Sequence, residues 1–107
     1  MIEESAVEEA VHWLADNAKK AAQRRAERVY EDEYRKSLKA ILMKEHAGES
    51  GIVQEREAYA DPRYIDHLKK IKETVYRDEL NRAMRSQKEI LIEAWRSQNA
   101  NYRALKI

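Results

Sequence analysis

The sequence predicts an all-α protein: a long antiparallel helical hairpin with a short helix in its connection, self-associating into a helical bundle or coiled-coil-like oligomer. Three observations lead there. The strong helix breakers are confined to one stretch, because Gly48, Gly51 and Pro62 are the only two glycines and the only proline, with more than forty breaker-free residues on either side. The composition is 38 % charged and 43 % apolar, rich in Ala, Glu, Lys, Arg and Leu, as in long helices and coiled coils. Apolar residues also recur at spacings of three and four, which collects them on one face of a helix.

Taken in order, Ser5-Ala6-Val7-Glu8 has the S-x-x-E form of a capping box and starts helix one. Its stripe runs Val7, Val11, Leu14, Ala18, Ala22 and Ala26, continues at Val29, and resumes at Leu38, Ile41 and Leu42. Alanine in the middle permits close helix approach but buries little area. Neither stripe holds a strict heptad, so coiled-coil rules set no oligomer number. Gly48, free to take the left-handed conformation, is the expected stop after Ala47. The connection, residues 48–61, has room for a short helix at Val53–Tyr59. Asp61-Pro62 then supplies an N-cap carboxylate and a proline at the first helical position. Helix two covers residues 62–104, with Ile65, Leu68, Ile71, Val75, Leu80, Met84, Leu91 and Trp95 on its stripe and polar interruptions at 77–82 and 85–88. The whole chain, 1–107, reads as a single hairpin domain. Folding back about the breakers sets positions whose numbers add to about 108 side by side, which levels Trp13 with Trp95.

Several function classes are set aside. There is no cysteine for a disulfide or thiolate site. No apolar run approaches the ~18 residues of a membrane span, and the acidic start MIEESAVEEA lacks the basic opening of a signal peptide. A soluble, cytoplasmic protein without membrane partners is expected. His12, His46 and His67 are scattered; Glu9-x-x-His12 is half of a di-iron motif without its second half. No phosphate-cradling glycine loop or nucleophile motif is present. The expectation is no catalytic residues, no cofactor and no metal site, hence no enzyme.

Charge is balanced in sum, with 21 Lys+Arg against 20 Asp+Glu, but blocked along the chain. Residues 1–18 hold five acids and no base, and residues 19–44 hold nine bases and four acids. In the expected register Lys19, Lys20, Arg24, Arg25 and Arg28 fall level with Arg82, Arg85 and Lys88. A basic collar of this kind can hold a phosphate backbone without sequence preference. Acids one turn away, such as Glu27, Glu31 and Glu79, equally can neutralise it as an ordinary solvated face. Six tyrosines and no phenylalanine is an unusual aromatic choice. Among basic residues Tyr30 and Tyr34 can stack bases, or pack as half-buried core.

The stretches ERVYEDEYRKSLKAILMKEHAG, EREAYADPRYIDHL and IEAWRSQNANYRA, within residues 27–104, resemble small helical proteins of tailed bacteriophages, of the UvsY-like recombination-mediator type. That resemblance implies a non-enzymatic helical oligomer that binds single-stranded DNA in a bacterial cell. Such a protein helps load a recombinase or annealing protein past a single-strand-binding protein. It implies DNA contact by the basic segment around Tyr30 and Tyr34, with Arg35, Lys36 and Lys39. The alternative is a helical protein-binding module, a phage adaptor or an inhibitor of a host enzyme, that binds no DNA.

Overall fold

The computed structural model describes residues 1–106. All the regular secondary structure among them is helical: α1 spans Glu4–Lys44, α2 spans Gly51–Ala60 and α3 spans Pro62–Leu105. The order and type of the three elements agree with the sequence pattern; the caps differ in instructive ways. At the start of α1 the first helical acceptor is the Glu3 carbonyl, which takes the Ala6 and Val7 amides at 3.1 and 3.4 Å. Ser5 therefore lies inside the first turn and cannot act as the cap of a capping box. No residue among those described has a positive φ, so Gly48 is not a left-handed stop. Instead α1 ends at Lys44 through successive three-residue turns, Glu45 N to Leu42 O at 3.2 Å and His46 N to Met43 O at 3.0 Å. These tight turns occupy the last carbonyls that a glycine cap would otherwise serve.

Ser50 caps α2, its hydroxyl accepting from Val53 N at 3.4 Å. The Asp61-Pro62 signal holds as read. Asp61 Oδ1 accepts from Arg63 N at 2.8 Å, and the Asp61 carbonyl takes the Tyr64 and Ile65 amides at 3.0 and 3.1 Å. Proline at the first helical position removes an amide that would have had no partner.

The chain divides into two compact units. A terminal unit joins Met1–Ala22 to the part of α3 that begins at Glu79, and a turn unit comprises Gln23–Asp78. In each, α1 and α3 run antiparallel. Ile2 N donates to Gln98 Oε1 at 3.2 Å and Asn17 pairs with Asn81 in the terminal unit. Arg28 meets Asp78 and Glu31 meets His67 in the turn unit. Asn17 and Asn81 add to 98, and Ile2 and Gln98 to 100, ten and eight short of the register expected from the sequence. Ten residues along a helix amount to about 15 Å. In this register Trp13 is level with Lys88, whose ammonium lies 5.8 Å from the indole centroid.

The reason for the shift is the seam. Buried and half-buried positions of α1 include the run 7, 10, 14, 17, 21, 24, 28, 31, 35, 38, 42, in alternate threes and fours, with Ala6, Trp13, Lys39 and Met43 half-buried beside it. Those of α3 include 64, 67, 71, 74, 78, 81, 85, 88, 92, 95, 99 in the same steps, with Val75, Leu91 and Gln98 half-buried beside them. This is a strict heptad seam on both helices, where the apolar pattern alone showed none. It escapes an apolar count because its middle is polar: Asn17, Glu31, His67, Thr74, Asp78 and Asn81 are all buried. Conversely Val11, Val29, Ile41, Ile65, Leu68 and Leu80, read as stripe residues, are 42–53 % exposed. The apolar core proper is a small cluster in the turn unit, Leu42, Ala58 and Tyr64 with Leu38 and Met43 packed against it.

Candidate nucleic-acid interface

The basic side chains singled out in the sequence sort by unit and by what they already hold. In the terminal unit Lys19 and Lys20 are exposed on α1. Neither has a carboxylate within ion-pair distance among the described residues. Arg82 is exposed and pairs with Glu79 at 3.6 Å, one turn away on its own helix. Arg85 and Lys88 are half-buried because they occupy seam positions, and Lys88 covers the Trp13 ring. In this register Arg85 and Lys88 run beside the stretch of α1 around Ala10–Ala15, away from the level of Lys19 and Lys20, and only Arg82 stays within a turn of Lys19. The alignment that drew them into one collar does not occur.

In the turn unit Arg24 pairs with Glu27 at 3.7 Å, Arg35 with Asp32 at 3.7 Å and Lys36 with Glu33 at 3.3 Å, each an exposed or half-exposed one-turn pair. Such pairs are worth at most a few tenths of a kcal/mol and open easily. Arg28 is different. Its guanidinium donates to Asp78 Oδ2 at 3.0 Å, and the Asp78 side chain is only 6 % exposed. Lys39 is committed as well: it donates to Glu55 Oε1 at 3.0 Å and lies 4.7 Å from the Tyr59 ring centroid. Contact with Tyr59, then Glu55, holds its ammonium above the ordinary lysine range, and the Glu55 carboxyl is lowered by Lys39 in turn. Lys39 thus fastens α2 to α1. Arg25 stays exposed, with no carboxylate in ion-pair range among the described residues.

Tyr30 and Tyr34 sit one turn apart on α1 with rings stacked at 6.1 Å and 11°. Tyr34 also presents its face or edge to His67 at 5.2 Å and 66°, so it belongs partly to the packing. Tyr30, 64 % exposed, has its outer face open. A flat ring beside basic residues can take a nucleobase there.

What the sequence reading missed is the polar seam. Asn17 and Asn81 exchange two side-chain hydrogen bonds, 3.1 and 2.8 Å, a reciprocal amide pair buried between the helices. His67 Nε2 donates to the Glu31 carbonyl at 2.7 Å while Nδ1 faces the Glu31 carboxylate at 3.6 Å. Lys70 reaches the same carboxylate at 3.2 Å. No buried side-chain polar atom among those described lacks a partner. A signal for this seam did exist: Val7, Leu14 and Leu42 lie at multiples of seven, and carrying that period through the polar middle would have named Ala21, Arg28 and Arg35.

The turn end carries a second polar cluster. Arg63 bridges Glu45 at 2.6 Å and Asp61 at 2.9 Å. Arg63 holds both carboxyls below their usual range, and its own guanidinium is raised by Asp61 first and Glu45 second. Two surface grooves are present, one lined by Ser86, Glu89, Ile90, Glu93, Ala94 and Ser97, the other by Arg28, Val29, Asp32, Glu33 and Val75. Among the described residues no helix is long and apolar enough to cross a membrane, and no three His, Asp or Glu side chains gather as a metal site. No protein-family model, curated protein or solved structure matches the chain.

Proposed function

We propose that this protein is a non-enzymatic, self-associating accessory factor that binds single-stranded DNA through sequence-independent contacts. The observation that carries the reading is a set of uncommitted cations: Lys19, Lys20 and Arg25 are exposed and unpaired among the described residues, whereas Arg24, Arg28, Arg35, Lys36, Lys39 and Arg82 hold acids. Tyr30 adds an open aromatic face in the turn unit. The one-turn pairs of Arg24, Arg35, Lys36 and Arg82 exchange readily for phosphate, whereas Arg28 and Lys39 serve the fold. The resemblance of residues 27–104 to UvsY-like mediators supports a role beside a recombinase, annealing protein or single-strand-binding protein in a bacterial cytoplasm.

Fluorescence anisotropy with a labelled oligonucleotide, at low and at moderate salt, tests it. Binding that weakens steeply with salt is expected. Arg24→Glu with Arg25→Glu, or Lys19→Glu with Lys20→Glu, should weaken binding by roughly tenfold at unchanged helicity, since each variant reverses two phosphate-facing charges. No binding at low salt sinks the reading.

A second reading, a helical protein-binding module such as a phage adaptor or host-enzyme inhibitor, is favoured by Ile65 and Leu68, apolar yet 43 % and 42 % exposed in the turn unit. Capture of one defined protein that survives nuclease treatment, with no oligonucleotide binding, would select it.

A further inference from the structure

The seam divides the α1–α3 pair of the turn unit into two sides of different chemistry. On α1 the seam runs through Arg28, Glu31 and Arg35. At about 100° per residue, Val29 and Asp32 fall to one side of it, and Tyr30 and Tyr34 to the other. On α3 the seam runs through Ile71, Thr74 and Asp78. The same count puts Lys72 and Val75 on one side, and Lys70 and Arg77 on the other. Val29, Asp32 and Val75 line one groove, which joins their two sides across the pair. The remaining sides therefore face the same way, and Tyr30 and Tyr34 of α1 share a face with Lys70 and Arg77 of α3. Two contacts across the seam agree: Lys70 Nζ lies 3.2 Å from Glu31 Oε1, and the Tyr34 ring meets His67 at 5.2 Å.

Cations remain available on this face after its acids are counted. Glu31 is buried and shared by His67 and Lys70, and Glu27 pairs with Arg24 at 3.7 Å. The Lys70 side chain stays 62 % exposed while it touches Glu31. Arg77 is exposed, with no carboxylate in ion-pair range among the described residues. Glu73, exposed one turn before Arg77, has no cation in that range among them either. The Tyr30 ring lies flat against Tyr34, so its open face is already oriented and little side-chain freedom is left to lose on binding.

We infer that single-stranded DNA lies on this face of the turn unit, with a base stacked on Tyr30 and the backbone running across to Lys70 and on along α3 to Arg77. This rests on the DNA-binding reading above and gives it one side of the turn unit and two further contacts, neither of them on α1. Stacking on a side chain needs a base whose flat face is uncovered, which a single strand offers and a paired, stacked duplex does not. Lys70 and Arg77 are seven residues apart, about 10 Å along the helix and about 20° around it, so both address one backbone path. The Arg77 guanidinium can grip a phosphate with two parallel hydrogen bonds, while Lys70 acts as a point charge. Glu73 opposes the same phosphates and limits the affinity. The other side of the pair lacks an aromatic platform: its groove holds Val29 and Val75 beside Asp32 and Glu33.

Anisotropy of a labelled oligothymidylate on the full chain, over a salt series, tests the arrangement with matched pairs of variants at exposed sites. Tyr30→Ala should weaken binding by roughly tenfold, and Tyr30→Phe, which keeps the ring, should not. Tyr76→Ala removes a tyrosine that is 66 % exposed on the back of α3, and should change nothing. Arg77→Ala should make the slope of log affinity against log salt shallower by about 0.7, one phosphate contact being lost. Arg77→Glu should weaken binding by roughly tenfold, whereas Lys72→Glu, the same reversal on the groove side of the same helix, should cost about twofold at most. Glu73→Gln should tighten binding. Circular dichroism checks that helicity is unchanged in each. Irradiation of a 5-bromouracil oligonucleotide should crosslink the peptide that holds Tyr30 and spare the one that holds Tyr76. Wild-type binding that ignores Tyr30→Ala, or that suffers equally from Lys72→Glu and Arg77→Glu, overturns this inference and leaves the DNA role standing. Absence of wild-type binding at low salt removes both.

Discussion

The terminal unit and the turn unit use the same two helices and solve the same packing problem differently. In the terminal unit the fully buried polar part of the seam is neutral, a single reciprocal amide pair at Asn17 and Asn81, with Val7 and Ala10 buried beside it and Arg85 and Lys88 only half-buried. In the turn unit the seam is ionic: Asp78 is held by Arg28, and Glu31 is shared by His67 and Lys70. A third helix is also present there, and among the described residues only there does an apolar cluster form, Leu42 with Ala58 and Tyr64. Two helices alone shield a stripe on one side, so buried polar pairs can fix their register while apolar burial stays modest. A third helix covers a side chain such as Leu42 almost completely, to 1 % exposure, and apolar burial becomes worthwhile.

The largest test of this contrast is in the cluster. Leu42→Ala should destabilise the turn unit by about 3 kcal/mol, as core leucines do. Hydrogen exchange should show α2 amides losing protection while amides around Asn17 keep theirs. Leu38→Asp should be comparably severe, since Leu38 packs on the same cluster. Equal loss in both units would show one cooperative body and erase the distinction.

Next comes the amide pair. Asn17→Leu leaves the buried Asn81 amide without its partner and should lower the denaturation free energy by about 1–3 kcal/mol. Asn17→Leu with Asn81→Leu should recover that loss or exceed it, but with a less uniquely defined register, visible as broadened amide resonances near Trp13. A double variant with a sharp spectrum and wild-type stability would deny the pair its registering role.

A smaller effect is expected at the turn. Asp61 and Glu45 have carboxyls lowered by Arg63 from ordinary values of 3.8 and 4.5. A group that binds protons less readily when folded contributes stability that is complete above its unfolded value and is lost as pH falls through the folded one. Acid titration of stability should therefore fall off below about 4.5, more gently in Asp61→Asn with Glu45→Gln. An unchanged acid limb would remove the Arg63 bridge from the balance. The smallest change is expected for Ile41→Asp. Ile41 is 51 % exposed, so the isolated chain should shift by less than about 0.5 kcal/mol. A severe loss would mean that this face, too, is covered.

Much of the fold was legible because its signals are local. Breakers at Gly48, Gly51 and Pro62 bracket α2, and Asp61-Pro62 starts α3 through bonds within four residues of itself. The basic and tyrosine candidates were legible as residue types only. Whether Lys39 faces solvent or Glu55 depends on α2 folding back onto α1, and whether Arg28 is available depends on Asp78, fifty residues away. The register failed for the same reason: an apolar count passes over a seam made of Asn, Glu, His and Asp.

By itself the sequence determined the helices, their number and the corner between them, because hydrogen bonds four residues apart and the torsional limits of glycine and proline act along the chain. Which side of each helix is inside was decided only by tertiary pairing. A polar side chain becomes a seam residue when a complementary one stands across from it, and that partner is chosen in space rather than in sequence.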